Sequence, residues 1–151
     1  GFTGAVAAAG VDPVDGTGGP LGNEARVLEG GLAANLPSLI VGTELGLETV
    51  FGMACAPAGD NHDAFYQAAP APSYWVFVED YGHLDMLDDQ TPGCGLTCTG
   101  CVDGPTGGAL RTFAAGQLVA FFRWQLQGDT TAEMFLNDTT GAPVTTQLMS
   151  K

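Results

Sequence analysis

Basic side chains are nearly missing from this chain. Four Lys and Arg stand against seventeen Asp and Glu over 151 residues, a formal net charge of −13. Binding a polyanion requires Lys and Arg to displace counterions from phosphates, so this composition excludes nucleic acid as a partner. The acids are scattered rather than gathered in a tail, which reads as a solvated acidic surface. No apolar run is long enough to cross a bilayer. There is no initiator Met and no basic-then-apolar leader. The chain enters an apolar segment directly after Gly1-Phe2-Thr3, as a start inside a fold would. Serine is scarce as well. Ser38, Ser73 and Ser150 are the only three, and none has glycine two residues away on both sides, so a G-x-S-x-G nucleophile turn is absent from these residues. Histidine occurs twice, as His62 and His83.

What is present suits a folded α/β domain. The hydrophobic share of 45% is ordinary for a globular core. "GAVAAAGV" (4–11) is a continuous small-apolar run without a helical stripe, as in a strand buried on both faces, and it stops at Asp12-Pro13. "SLIVGTEL" (38–45) and "YWVFVED" (74–80) read as two further buried strands. Residues 15–37 read as a long loop with a short helix near Glu24–Leu28. A Gly/Ala/Pro loop is expected from the second strand to Asp60, followed by a short helix, His62 to Gln67, capped by Asn61 with Phe65 and Tyr66 packing inward. The clearest helix is 109–127, where Leu110, Ala114, Leu118 and Phe122 recur every four residues and Gly128 is placed to end it. The tail 129–151 is polar with a few apolar anchors. About three parallel strands with flanking helices and long loops would leave an unpaired apolar edge. The pattern therefore reads as the C-terminal half of an α/β domain.

The four cysteines are Cys55, Cys94, Cys98 and Cys101, the last three spaced C-x3-C-x2-C in a Gly/Thr-rich loop (88–108). That spacing invites a metal reading, but no fourth ligand is evident, and a local disulfide is the expected outcome, with Cys55 free or pairing back to the loop. No metal and no cofactor are expected. Asp85, Asp88 and Asp89 have the chemistry for Ca²⁺, yet satisfying backbone N–H groups at a helix start or turn is the ordinary use of such residues.

Ligand sites in α/β sheets lie beyond the carboxyl ends of the strands. Each expected strand ends in a reactive side chain: Asp12, Glu44 and His83. A serine hydroxyl becomes a useful nucleophile only when an imidazole takes its proton, and a carboxylate must hold that imidazole in the right tautomer. Acids followed by a histidine match the chain order of α/β-hydrolases. Either Asp12 or Glu44 suits the acid, with Pro13 stiffening the turn at Asp12. Gly82 is expected to let the loop turn sharply and aim the His83 ring. His62, beside Asn61 at a helix start, reads as a packing or capping residue.

"GVDPVDG" (10–16), "CAPAGDNHDAFY" (55–66) and "DYGHLDMLDD" (80–89) resemble the chlorophyllases, esterases of the α/β-hydrolase superfamily that remove phytol from chlorophyll. The terminal helix "LRTFAAGQLVAFFRWQLQGD" is similar to that family's closing helix. The resemblance spans about residues 2–128 and corresponds to the family's C-terminal half. It implies Asp12 as the triad acid, His83 as the triad base and a plastid location. The nucleophilic serine would then lie in an upstream segment or a second chain carrying G-x-S-x-G. A hydrophobic ester substrate calls for a greasy pocket, for which Phe51, Met53, Phe65, Tyr66 and Met86 are candidates, and for association with a membrane surface. The rival reading is a non-catalytic, hydrolase-derived subunit that binds pigment or lipid within a larger assembly.

Overall fold

The computed structural model describes residues 4–16, 26–30, 32, 35–87, 100–106 and 108–151. The three expected strands form and run parallel: β1 (Ala8–Val11), β2 (Ser38–Thr43) and, after the short elements below, β5 (Ser73–Val78). β1 is shorter than the apolar run that announces it, and it is largely exposed at the end of the described sheet rather than buried on both faces. Every residue of β2 is buried, because this strand is central and covered on both faces. That is why its sequence is a continuous apolar run rather than an alternation.

Between β2 and Asp60 the sequence suggested a plain loop, followed by a short helix from His62 to Gln67. The structure places there a one-turn 3-10 helix (Leu45–Leu47), a small hairpin of β3 (Thr49–Val50) and β4 (Met53–Ala54), and then helix α1 (His62–Ala68). Asn61 occupies the N-cap position of α1, but its side chain makes no capping bond. Upstream, a single 3-10 turn stands at Leu28–Gly30, at the edge of the expected helix, and Glu24 lies outside the described residues.

The strand pleat divides the core in two. On one face Leu39 and Val41 of β2, with Tyr74, Val76 and Val78 of β5, pack against helix α2 (Ala109–Gln127) through Leu110, Phe113, Ala114 and Phe121. On the other face Ile40 and Trp75 pack against Tyr66 and Ala69 near the end of α1. Successive residues alternate between the faces because the side-chain period of a strand is two.

Helix α2 has the predicted bounds and ends at Gly128, which adopts the left-handed conformation (φ 68°) and donates its N–H to the Trp124 carbonyl at 2.9 Å. The tail is a correction to the sequence reading. Asp129 accepts N–H bonds from Thr131 and Ala132 and so starts a further helix, α3 (Thr130–Asn137). Ala132 and Leu136 of α3 complete the α2 face of the core. Strand β6 (Thr146–Ser150) then pairs antiparallel with β5, giving the sheet order β1-β2-β5-β6 and covering the β5 edge. The signals were present but weak: Asp129 as an N-cap, Glu133 in the first turn, and the alternation Thr146, Leu148, Ser150. The outer edge of β1 has no partner strand among the described residues.

Phe121 is completely buried in the α2 face of the core. Phe121→Ala should destabilise the protein by about 3–5 kcal/mol through lost transfer energy and the cavity left behind. Gln127→Ala, exposed at the helix end, should change stability by less than about 0.5 kcal/mol. Urea denaturation of the two variants measures both, and equal losses would contradict the packing described.

Candidate active site

Asp12 follows the last residue of β1, where the chain turns through a left-handed conformation (φ 42°) that Asp tolerates better than most residues. Its own N–H is held by the Val41 carbonyl of β2 at 2.6 Å. The residue is 2% exposed. A carboxylate this deep must be hydrogen-bonded to remain ionised. Three donors meet it: Thr43 N–H to Oδ1 at 2.9 Å, Thr43 Oγ1–H to Oδ2 at 2.8 Å, and His83 Nδ1–H to Oδ2 at 2.7 Å. Because a carboxylate only accepts, Nδ1 carries the proton. Nε2 of a neutral His83 ring is then the basic nitrogen, on a side chain that is 27% exposed.

His83 opens a 3-10 turn (His83–Met86) just beyond β5. Asp85 fixes that turn, accepting from Gly82 N–H at 2.6 Å and from Gly104 N–H at 2.7 Å. Asp85 thus satisfies backbone donors, while Asp88 and Asp89 lie outside the described residues. Gly82 does not serve the role expected of it. Its backbone (φ −104°, ψ 169°) suits any residue. Glycine is required there because a Cβ would sit 1.9 Å from the Val102 carbonyl oxygen. The reason is close approach of another segment, which the local sequence does not reveal.

That approaching segment is tied down by a disulfide between Cys55 and Cys101. The bridge therefore runs from the end of the β3–β4 hairpin to the loop, one of the two placements open for Cys55. Cys94 and Cys98 lie outside the described residues.

Glu44 is exposed, and its Oε2 accepts the Asp80 N–H at 2.8 Å. It buttresses the turn after β5 and makes no bond to His83. The five pocket candidates do not form one group. Phe51 and Met53 are 90% and 71% exposed on the β3–β4 hairpin. The stems of that hairpin lead back to the site floor, where Ala56 N–H bonds the Gly46 carbonyl at 2.8 Å and Gly46 packs beside Asp12. Tyr66 is a core residue, 5% exposed and stacked on Trp75. Phe65 packs on the same cluster, and Met86 packs against the α2 face.

The three serines are all remote from this pair. Ser38 and Ser73 are the first residues of β2 and β5 and are paired in register, and Ser150 pairs with Tyr74. The strand rise of about 3.3 Å per residue puts that end of the sheet roughly 15 Å from the end where Asp12 and His83 meet.

A model of the chlorophyllase family matches residues 4–151. This chain belongs to that family. It is 37% identical to chlorophyllase-2 of Arabidopsis thaliana over 134 residues, covering 80% of this chain and 40% of that protein. It is 35% identical to chlorophyllase-1 of the same plant over 127 residues, covering 80% and 39%. Against the protein named "Chlorophyllase-1, chloroplastic" in Citrus unshiu it is 34% identical over 144 residues, covering 89% and 43%. The chain thus spans about two-fifths of the length of the curated chlorophyllases it matches. The family is one of α/β-hydrolases, and the mixed sheet with helices on both faces is compatible with that fold.

Sequence reasoning undervalued one residue. His62 is 2% exposed, close behind Thr43. Burial pushes its imidazole below the ordinary value of 6.5, against the opposing pull of the Asp12 charge, the Thr43 carbonyl and Asp63. The unfolded chain therefore binds a proton at His62 below about pH 6.5 that the folded chain resists, and this group's contribution is complete above that pH and is lost as pH falls. The melting temperature of the wild type should fall more between pH 7 and pH 5.5 than that of His62→Gln. Parallel pH dependences of the two proteins would contradict a buried neutral His62.

Proposed function

We propose that this chain is the acid- and base-bearing C-terminal part of an α/β-hydrolase domain. In this reading residues 1–151 contribute to a serine carboxylic ester hydrolase of the chlorophyllase type. The observation that carries it is the 2.7 Å bond from His83 Nδ1 to the buried Asp12 carboxylate, made at the carboxyl ends of two parallel strands. The substrate is the phytyl ester of chlorophyll, and the products are chlorophyllide and phytol. The site location in the chloroplast follows the printed name of the Citrus relatives. No cofactor and no nucleic acid enter the scheme.

The serine comes from an N-terminal segment or a second chain bearing G-x-S-x-G, since Ser38, Ser73 and Ser150 sit at the wrong end of the sheet. His83 Nε2 takes the serine proton as its oxygen attacks the ester carbonyl. The imidazolium is stabilised by Asp12 and returns the proton to the phytol oxygen as the C–O bond breaks. Water deprotonated by the same nitrogen then hydrolyses the acyl-enzyme. Asp12 suits the orienting role because its carboxylate is fixed by both Thr43 donors, whereas Glu44 is engaged with Asp80. Phe51 and Met53 give an exposed apolar tip beside the site for a phytyl chain or the membrane surface that holds it.

Amide replacements in the complete enzyme test the assignment. Asp12→Asn keeps the shape but cannot stabilise the imidazolium, and kcat should fall by about 10⁴ on the serine-protease precedent. Glu44→Gln should lose less than about tenfold, and His83→Ala should lose several orders of magnitude. Steady-state hydrolysis of chlorophyll by the purified variants measures this. A dead Glu44→Gln beside an active Asp12→Asn would move the acid to the later strand. Full activity in His83→Ala would remove His83 from the catalytic machinery, and no hydrolysis by the complete wild-type protein would favour the non-catalytic, pigment-binding reading.

A further inference from the structure

We propose that His62 is a positioning residue for the acid–base pair, acting through Thr43 on Asp12. The inference rests on the reading of Asp12 and His83 as that pair. The ring is held at both nitrogens by groups that leave no choice of tautomer. Trp75 Nε1 lies 3.0 Å from Nδ1, and an indole N–H only donates, so Nδ1 is bare. The Thr43 carbonyl lies 3.2 Å from Nε2 and only accepts, so Nε2 carries the proton. A second proton, on Nδ1, would face the indole N–H. The ring is locked as the neutral Nε2–H form.

The consequence lies on the other side of the same residue. Thr43 is the residue whose N–H and hydroxyl both grip the Asp12 carboxylate. Its carbonyl is the group that His62 holds. The chain of donors therefore runs from the Trp75 indole to His62, from His62 to the Thr43 carbonyl, from Thr43 to Asp12, and back to Asp12 from His83 on the other side. Thr43 is completely buried. Movement of Thr43 would move both donors together and misdirect the carboxylate.

The sheet makes room for this ring at a specific residue. A Cβ on Gly42 would lie 2.2 Å from His62 Cγ and Nδ1, so the central strand carries glycine where the imidazole lies on it. Glycine inside a strand weakens it, and it often marks a close approach of another group. Trp75 and Phe77 then enclose the ring, each with its centroid 5.7 Å away. A residue needed only to fill this space would not require a donor at Nε2.

The test uses the complete enzyme with four variants: His62→Gln, His62→Asn, Asp12→Asn and the double variant Asp12→Asn/His62→Asn. Gln places an N–H near Nε2, and Asn places its amide near Nδ1 and loses the bond to Thr43. With kcat expressed per folded molecule, His62→Asn should lose about tenfold to a hundredfold, the scale of a small misplacement of catalytic groups. KM should stay within about twofold, and His62→Gln should recover to within about threefold of wild type. In the Asp12→Asn background, His62→Asn should cost almost nothing further, because the pathway it serves is already broken. Equal losses in Asn and Gln, a loss that vanishes when activity is expressed per folded molecule, or the same loss in the Asp12→Asn background would each overturn the proposal. An Asp12→Asn enzyme that keeps most of its activity sinks the premise, and the proposal with it, irrespective of the His62 variants. If His62→Asn does not fold, ring ¹⁵N spectra of the wild type decide. A neutral Nε2–H ring that does not titrate between pH 8 and pH 6 is expected, and an Nδ1–H ring or one titrating near 6.5 overturns the account.

Discussion

A carboxylate with almost no solvent contact organises one end of this sheet. Removing an ion from water costs several kcal/mol unless hydrogen bonds replace the lost hydration. Asp12 meets that requirement with donors from three places: the Thr43 backbone, the Thr43 hydroxyl and the His83 ring. Those donors belong to the end of β2 and to the turn after β5, so the same charge joins three consecutive parallel strands at their carboxyl ends. The left-handed turn at Asp12 and the bond from its N–H to Val41 follow from the need to bring the carboxylate under the neighbouring strand.

The surrounding structure holds that arrangement in place. Below it, His62 occupies the space left by Gly42 and bonds the Thr43 carbonyl. Above it, Asp85 closes the His83 turn, and the segment 101–104 lies against Gly82, anchored by the Cys55–Cys101 bridge. The Asp103 carboxyl in that segment is raised above its ordinary value by burial and by the Asp85 charge. These supports come from segments distant in sequence. Together they fix one ring in one orientation, the condition for an imidazole to act as a proton acceptor toward a group at Nε2.

The parts of this account that were legible in the sequence are the ones with local signals. Helix α2 showed its four-residue apolar repeat and its terminal glycine, and the three parallel strands showed as apolar runs ending in Asp12, Glu44 and Asp80. The "DYGHLDMLDD" segment marked His83, and the ends of the two earlier strands offered Asp12 or Glu44 as its partner. What could not be read were contacts that cross the fold. Gly82 was legible as a special glycine but not as a neighbour of Val102, His62 was legible as a packing or capping residue but not as a partner of Thr43, nineteen positions earlier in the chain, and Cys55 gave no sign of which cysteine it bonds. Helix α3 and strand β6 were missed for a different reason. Each is short, and each is stabilised mainly by packing on α2 or pairing with β5 rather than by its own propensity.

The central claim is that His83 and Asp12 serve a serine that this chain does not contain. Labelling the complete native protein with a fluorophosphonate, followed by peptide mass mapping, tests it most directly, because that reagent reacts with a serine only when a working histidine activates it. The account predicts one labelled serine, within a G-x-S-x-G turn outside these 151 residues, and loss of labelling in His83→Ala. Labelling of Ser38, Ser73 or Ser150, or labelling that survives His83→Ala undiminished, would contradict it.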